Sequence, residues 1–267
     1  MDDPLPVLES PPDAPPPPAM SFAARLLNVF AIPGEVFASV KAGRICLWNW
    51  LVPALLLGVV AVAIVVVSQP AIQRQMHELT ERQAKLLREQ VKAGKVKQAE
   101  ADRAVAFTRA ITAPASLNVL LGVAAGVVGV VGVVRVFWWG FVLWVLGRMF
   151  LKVRLGYPKA LEVAGLGLMI SVLWGVVTLL LMVNLPKLFA TTDLALAVSD
   201  FDPSRNSPLL LGAAYVFSFW LIGVLSAGLA KLAGVPFRRA AWFVFAYWVI
   251  QESLFVLVGG ALGQFAR

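Results

Sequence analysis

The spacing of apolar residues constrains this 267-residue chain more than any other feature. Five apolar blocks each reach the roughly 20 residues that a helix needs to cross the hydrocarbon layer of a bilayer, about 30 Å thick. They are residues 48–68, 115–150, 161–184, 208–231 and 240–263. Blocks this long and apolar cross lipid as α-helices, whose backbone hydrogen bonds are all internal. The sequence therefore predicts an all-α integral membrane protein with five transmembrane helices.

The second block is too long for one untilted span and too short for two spans with a turn. Its glycines are isolated, and no Pro or Asn follows Asn118 within it. We predict one long helix over 115–150, with a re-entrant pair of helices as the alternative. Small residues let helices approach closely in lipid. The glycines expected to do so are Gly122, Gly126, Gly129, Gly132 and Gly140.

Composition excludes several classes of function. The chain is 60% hydrophobic and 14% charged, whereas soluble domains carry about 25% charged residues. Its net charge is +8, but most charges lie between the apolar blocks, which indicates membrane topology and no nucleic-acid binding. Cys46 and His77 are the only residues of their types, which excludes a disulfide and a Cys/His zinc site. We expect no enzymatic activity, no cofactor and no metal site.

The segment before the first span has two parts. Residues 1–20 hold eight prolines, four acids and no Lys or Arg, so they lack the basic region of a signal peptide and predict a disordered, Pro-rich tail. Residues 21–46 predict two short amphipathic helices, with Ser21 as an N-cap and Pro33 in the first turn of the second helix. These helices lie in the membrane interface, pack on the cytosolic ends of the spans, or do both, since the two placements are not exclusive.

A charged insertion, residues 69–114, separates the first two spans. It holds nine basic and five acidic residues among many good helix formers, and Ala93-Gly94 interrupts its helical pattern. The sequence predicts an extramembrane helical hairpin over 71–111. The hairpin is either a module that binds a soluble partner or a solvated spacer.

The distribution of Lys and Arg predicts the orientation. With five spans, the short segments on the amino-terminal side of the membrane hold ten basic residues, and those on the other side hold three. The ten are Arg25, Lys41, Arg44, Arg148, Lys152, Arg154, Lys159, Lys231, Arg238 and Arg239. Since cytoplasmic loops are enriched in Lys and Arg, we predict a cytoplasmic amino end, with the mixed-charge hairpin on the far side.

Two charged residues fall near the middle of apolar blocks. Arg135 lies near the middle of the second block and Glu252 near the middle of the fifth. An unpaired charge at this depth costs several kcal/mol, so we predict that the two contact one another as an intramembrane ion pair, directly or through one water. The pair is either a transport or proton-relay site, with Gln251 nearby, or a structural contact that fixes helix order. An arginine that snorkels along a long helix is a further alternative.

Three parts of the sequence carry a family resemblance. They are Leu27-Asn-Val-Phe-Ala-Ile-Pro33-Gly-Glu-Val-Phe37 with Trp50-Leu-Val-Pro53, then Tyr157-Pro-Lys-Ala160, and finally Pro208-Leu-Leu-Leu with Val235-Pro236-Phe-Arg-Arg-Ala240. These segments resemble the opening, the start of the third span, and the fourth span with its basic turn in Yip-type (Ypt/Rab-interacting protein) domains. The resemblance covers most of residues 22–263 and is greatest to the bacterial branch of the family.

The resemblance implies a five-span membrane domain over 47–267 with a cytosolic amino end, in the bacterial inner membrane. Eukaryotic relatives bind Rab-type GTPases and act in vesicle trafficking. The hairpin is longer than the family's minimal loop, and the cysteine-rich amino-terminal module of some bacterial relatives is absent. Rab binding therefore cannot be assigned to any residue of this chain.

Two functions remain in competition. The first is a non-enzymatic membrane scaffold or protein-interaction component, which contacts the lipid bilayer and a protein partner at the hairpin 71–111 or at the cytosolic amino end. The alternative is a small transporter or channel subunit that uses Arg135 and Glu252. A polar cavity around these two charges would favour transport, whereas a dry contact between them would favour a structural role.

Overall fold

The computed structural model describes residues 20–184 and 216–265, which form nine α-helices and no strand. The helices are α1 (Phe22–Asn28), α2 (Pro33–Ala42), α3 (Trp48–Lys92), α4 (Gln98–Thr112), α5 (Pro114–Val145), α6 (Tyr157–Gly167), α7 (Met169–Asn184), α8 (Val216–Ala233) and α9 (Phe237–Phe265). A π-helical turn, Leu146–Phe150, extends α5. Of the predicted proline-rich tail, residues 1–19 lie outside the described ranges, as do residues 208–215 of the predicted fourth span.

Five of the helical segments are long and apolar enough to cross a membrane, which confirms the predicted number of spans. They are Trp48–Lys92, Pro114–Phe150, Tyr157–Asn184, Val216–Ala233 and Phe237–Val258. The second block is one continuous helical segment, as predicted. The third span begins four residues earlier than predicted, because Pro158 is suited to the first turn of a helix, and it is interrupted at Leu168 between α6 and α7.

The first span and the first arm of the predicted hairpin are a single helix. Helix α3 continues through Pro53 and Pro70 for 45 residues, about 67 Å at 1.5 Å per residue, roughly twice the thickness of the hydrocarbon layer. It ends just before Gly94, whose φ of 69° lies in the left-handed region that glycine adopts readily. Helix α4 then returns alongside α3. The position of this hairpin outside the membrane stays a prediction.

Small residues decide how closely α3 and α5 approach one another. A Cβ atom on Gly132 would lie 3.2 Å from the backbone nitrogen of Gly58, and one on Gly58 would lie 3.1 Å from the carbonyl oxygen of Gly129. By contrast, a Cβ atom on Gly122 or Gly126 would meet no atom of the described residues within 4 Å. The predicted close packing therefore applies to only some of the glycines of this helix, because only part of α5 faces α3.

Helix α2 packs on the ends of the spans. Its apolar residues Val36, Phe37 and Val40 are fully buried, and the helix contacts α6 and α8. A Cβ atom on Gly228 of α8 would lie 3.3 Å from the ring of Phe37. Two placements were left open for residues 21–46. For α2, the structure shows packing against the ends of the spans. At this end of the bundle, α2 meets the start of α3 and the start of α6. We call it the basic end.

Candidate functional site

Arg135 and Glu252, the two predicted site residues, line one polar cavity between the helices. They project from α5 and α9, and Ser171 of α7 and Ser218 of α8 complete its polar lining. The cavity has a volume of ≈150 Å³, room for about five water molecules at roughly 30 Å³ each. We call it the central cavity.

The chain brings the two charges to the same depth. Arg135 precedes Arg148 by thirteen residues, and Glu252 follows Arg239 by thirteen, so each lies about 20 Å along its helix from the basic end. Because α5 runs towards that end and α9 runs away from it, equal spacings produce equal depth.

Arg135 and Glu252 carry opposite charges and line the same cavity. Among the described residues, salt bridges with an N–O distance of 4.0 Å or less join Arg109 to Glu81 and Lys159 to Glu162, and none joins Arg135 to Glu252. The predicted ion pair therefore stays a prediction, and its water-mediated form is the one that suits a cavity of this size. Gln251 lines a neighbouring cavity together with Arg135.

A buried carboxyl group, that of Glu162, was not predicted. Its side chain is fully buried in α6. The Asn49 side-chain amide donates a hydrogen bond of 2.5 Å to Glu162 Oε2, and Lys159 Nζ lies 3.0 Å from Glu162 Oε1. A buried carboxylate needs such partners, since burial without them costs several kcal/mol.

Lys159 also ties helix α2 to the membrane bundle. Its Nζ donates hydrogen bonds to the carbonyl oxygens of Val40, at 2.7 Å, and Gly43, at 2.9 Å. The last carbonyls of a helix have no intrahelical partner and carry the negative end of the helix dipole, so an ammonium group is favourable there. Asn49, Lys159 and Glu162, which we call the basic-end cluster, thus connect α2, α3 and α6.

Gly165 makes this cluster sterically feasible. A Cβ atom at this position would lie 2.4 Å from Trp50 Cα, so only glycine lets the backbones of α6 and α3 come this close. The sequence did contain a signal for the cluster. Glu162 is the only acidic residue in the block 161–184, and it follows Lys159 by three residues, which places both side chains on one helix face.

Comparison with known families supports the same architecture. The model of the Yip1 domain matches residues 27–259. The chain belongs to the Yip1 domain family. No significant match to a curated protein or to a solved structure was found. The match confirms the resemblance to Yip-type domains, and with the five apolar helices it makes this chain a multi-pass membrane protein.

Both polar sites lie inside the Yip1 domain. The basic-end cluster and the central cavity fall between residues 27 and 259, as does the charged hairpin. Within residues 20–184 and 216–265, no three His, Cys, Asp or Glu side chains are grouped so that they could hold a metal ion. The central cavity of the Yip1 domain is lined by the polar side chains of Arg135, Glu252, Ser171 and Ser218, which can form hydrogen bonds and bind water.

Proposed function

We propose that this Yip1-domain protein is a non-enzymatic membrane scaffold, whose charged hairpin binds a protein partner. The observation that carries the proposal is the apolar surface of the hairpin. Leu79 and Leu86 of α3, and Phe107 and Ile111 of α4, are all exposed. Apolar patches in contact with water mark interaction sites, whereas those on the spans are covered by lipid.

The two arms of the hairpin hold one another in place, so this surface is preformed. Thr80 Oγ1 lies 3.3 Å from Thr112 Oγ1, and Arg109 pairs with Glu81 at 3.2 Å. Leu79 and Leu86 are seven residues apart, and Phe107 and Ile111 are four apart, so each pair shares one helix face. Such a spacing suits docking of an apolar helix face into a groove of a partner.

Site-specific photocrosslinking in intact cells tests the proposal. A photoreactive residue at Phe107, which is 69% exposed, should produce one discrete protein adduct. Val59 of α3 is 65% exposed, but it lies near the middle of the first span, so the same residue there should label lipid only. The Phe107→Ser/Ile111→Ser variant should keep its thermal stability and lose binding of the purified, identified partner. Equal adducts at both positions, or none at Phe107, would contradict the proposal.

The transport alternative is supported by one observation, the central cavity. Four helices contribute polar side chains to it at a depth where unpaired charge is costly. In proteoliposomes loaded with a pH-sensitive dye, the scaffold proposal predicts no proton flux that depends on Glu252. A flux that Glu252→Gln abolishes, with the fold intact, would replace the scaffold proposal with transport.

We further propose a cytoplasmic amino end and a location in the bacterial inner membrane. The basic residues that cluster at the ends of α5, α8 and the start of α9 support this orientation. Topology reporters fused at Gln90 and at the carboxyl end should both report the non-cytoplasmic side. A cytoplasmic carboxyl end would contradict the proposed orientation.

A further inference from the structure

Helix α2 and the end of helix α8 flank a groove at the basic end, which we call the lysine groove. Small side chains and two lysines line it: Ala38, Lys41 and Ala42 on one wall, and Ala230, Lys231 and Val235 on the other. Its volume is ≈650 Å³, within the range of about 300–1,000 Å³ that is usual for sites of small molecules. The groove is open to its surroundings, so a molecule can enter it directly from the bilayer surface.

Two glycines let each lysine lie across the groove. Lys231 Cε of α8 lies 3.6 Å from the position that a Cβ atom on Gly34 of α2 would occupy. Lys41 Nζ of α2 lies 3.7 Å from the corresponding position on Gly234, just beyond the end of α8. Gly234 has a φ of 67°, a left-handed conformation that favours glycine. Each lysine therefore lies against the facing backbone, and both positive charges border the same groove.

The positive charge of the groove has no acidic partner among the described residues. No salt bridge there includes Lys41 or Lys231. Glu35 is the only acidic residue of α2 and α8, and it lies about 100° around α2 from Gly34. Lys231 also lies beside the first turn of α2, the positive end of the helix dipole, where a cation is unfavourable and an anion is favourable. The groove therefore suits an anion.

The groove lies at the level where two spans leave the membrane. Val216–Ala233 and Phe237–Val258 are each long and apolar enough to cross a bilayer, and the groove borders the short connection between them. Phe237 and Trp242 of α9, just beyond this connection, are exposed, and tryptophan is enriched at the level of lipid headgroups. Basic pockets between membrane helices at this level bind anionic headgroups. The phosphate of a phospholipid is thus the anion that fits both the charge and the position.

We propose that the lysine groove binds the headgroup of an anionic phospholipid such as phosphatidylglycerol. The phosphate oxygens accept hydrogen bonds from Lys41 Nζ and Lys231 Nζ, while the acyl chains lie along the exposed apolar side chains of α9. A free phosphate has no acyl chains and makes only the first of these contacts. A zwitterionic phospholipid carries its own cation, which offsets its phosphate. The site is separate from the hairpin and does not depend on the scaffold proposal.

Photoaffinity labelling of the full chain in phosphatidylcholine nanodiscs tests this site. The probe is a phosphatidylglycerol with a diazirine close to its headgroup and an alkyne at the end of one acyl chain, and adducts are mapped by mass spectrometry. We expect adducts on residues 38–42 and 230–237. Unlabelled phosphatidylglycerol at about tenfold excess should reduce them about tenfold by mass action, whereas added phosphatidylcholine or inorganic phosphate should not. Equal competition by either of these, or adducts spread evenly over all spans, would overturn the proposal.

Charge-matched variants separate the groove from general attraction to the basic end. Lys41→Gln/Lys231→Gln should reduce labelling at least about tenfold, since each basic residue near an anionic membrane surface contributes about fivefold. Lys152→Gln/Arg154→Gln removes two exposed charges before α6, outside the groove, and should label like the unaltered chain. Equal losses in the two variants would overturn the proposal.

A steric variant tests the groove without changing its charge. Ala42→Trp fills the space beside both lysines and should also reduce labelling at least about tenfold. Full labelling of this variant, with an unchanged melting temperature, would overturn the proposal. If Ala42→Trp fails to fold, the two charge variants still decide, because their substitutions are at exposed positions and should change stability by less than about 0.5 kcal/mol.

Discussion

The basic end and the seam between α5 and α9 are packed in opposite ways. At the basic end, glycines and fully buried aliphatic side chains bring α2, α3, α6 and α8 together, and a buried carboxylate is held by Asn49 and Lys159. Along the seam between α5 and α9, aromatic side chains bridge helices that remain apart. Both regions hold a buried amide oxygen without a hydrogen-bond partner among the described residues, Asn49 Oδ1 at the basic end and Gln251 Oε1 along the seam. The comparison teaches that this bundle is tightly packed at the basic end and more loosely packed between α5 and α9.

The largest effect is expected from breaking the basic-end cluster. Glu162→Ala would leave Lys159 and Asn49 without their buried partner, which costs about 3–5 kcal/mol in comparable cases. Thermal unfolding in nanodiscs measures the loss. Glu78→Ala is the matched control, since Glu78 is exposed on the hairpin and should change stability by less than about 0.5 kcal/mol. Equal effects of the two substitutions would show that the cluster contributes nothing to the stability of the basic end.

Gly165 and Gly126 provide a matched test of packing. Gly165→Ala would place a Cβ atom against the backbone of Trp50 and should cost about 1–3 kcal/mol through overpacking. Gly126→Ala meets open space and should be neutral or slightly stabilising, because alanine favours helix. The same unfolding measurement compares both variants. If Gly165→Ala proves as mild as Gly126→Ala, α3 and α6 are less tightly packed than the structure shows.

A double-mutant cycle at the central cavity tests the pairing of Arg135 with Glu252. Either single substitution to Leu should destabilise the protein, and the double substitution should recover much of the loss, because one stranded charge costs more than none. We expect a coupling energy of about 1 kcal/mol, at the lower end for interacting residues, since the charges face one another across a cavity. Strictly additive losses would mean that Arg135 and Glu252 do not interact, and that other groups stabilise each charge.

The smallest effect is expected from removing residues 1–19. Their composition provides few apolar side chains for packing against either half of the bundle. Membrane yield and melting temperature of the truncated chain should therefore match those of the full chain, within about 0.5 kcal/mol of stability. A clear loss of folded protein would show that the tail packs against one of the two regions.

The sequence alone determined the number of spans, the single helix of the second block, and the helix end near Ala93-Gly94. These features depend on local properties, namely the length of an apolar block relative to the bilayer and the backbone preference of glycine. The equal depth of Arg135 and Glu252 could also be predicted, because spacing along a helix fixes depth.

Only the tertiary structure decided which residues meet. Glu162 became a fully buried partner of Asn49 because Gly165 lets α6 approach α3. Gly132 packs against Gly58 while Gly126, on the same helix, packs against nothing. Beyond the first span, Gln69 and Gln73 of α3 donate hydrogen bonds to the Asn118 side-chain oxygen of α5, a contact that the sequence did not predict. Apolar periodicity shows that a helix has a buried face, but the choice of neighbour depends on side-chain shapes far apart in the chain.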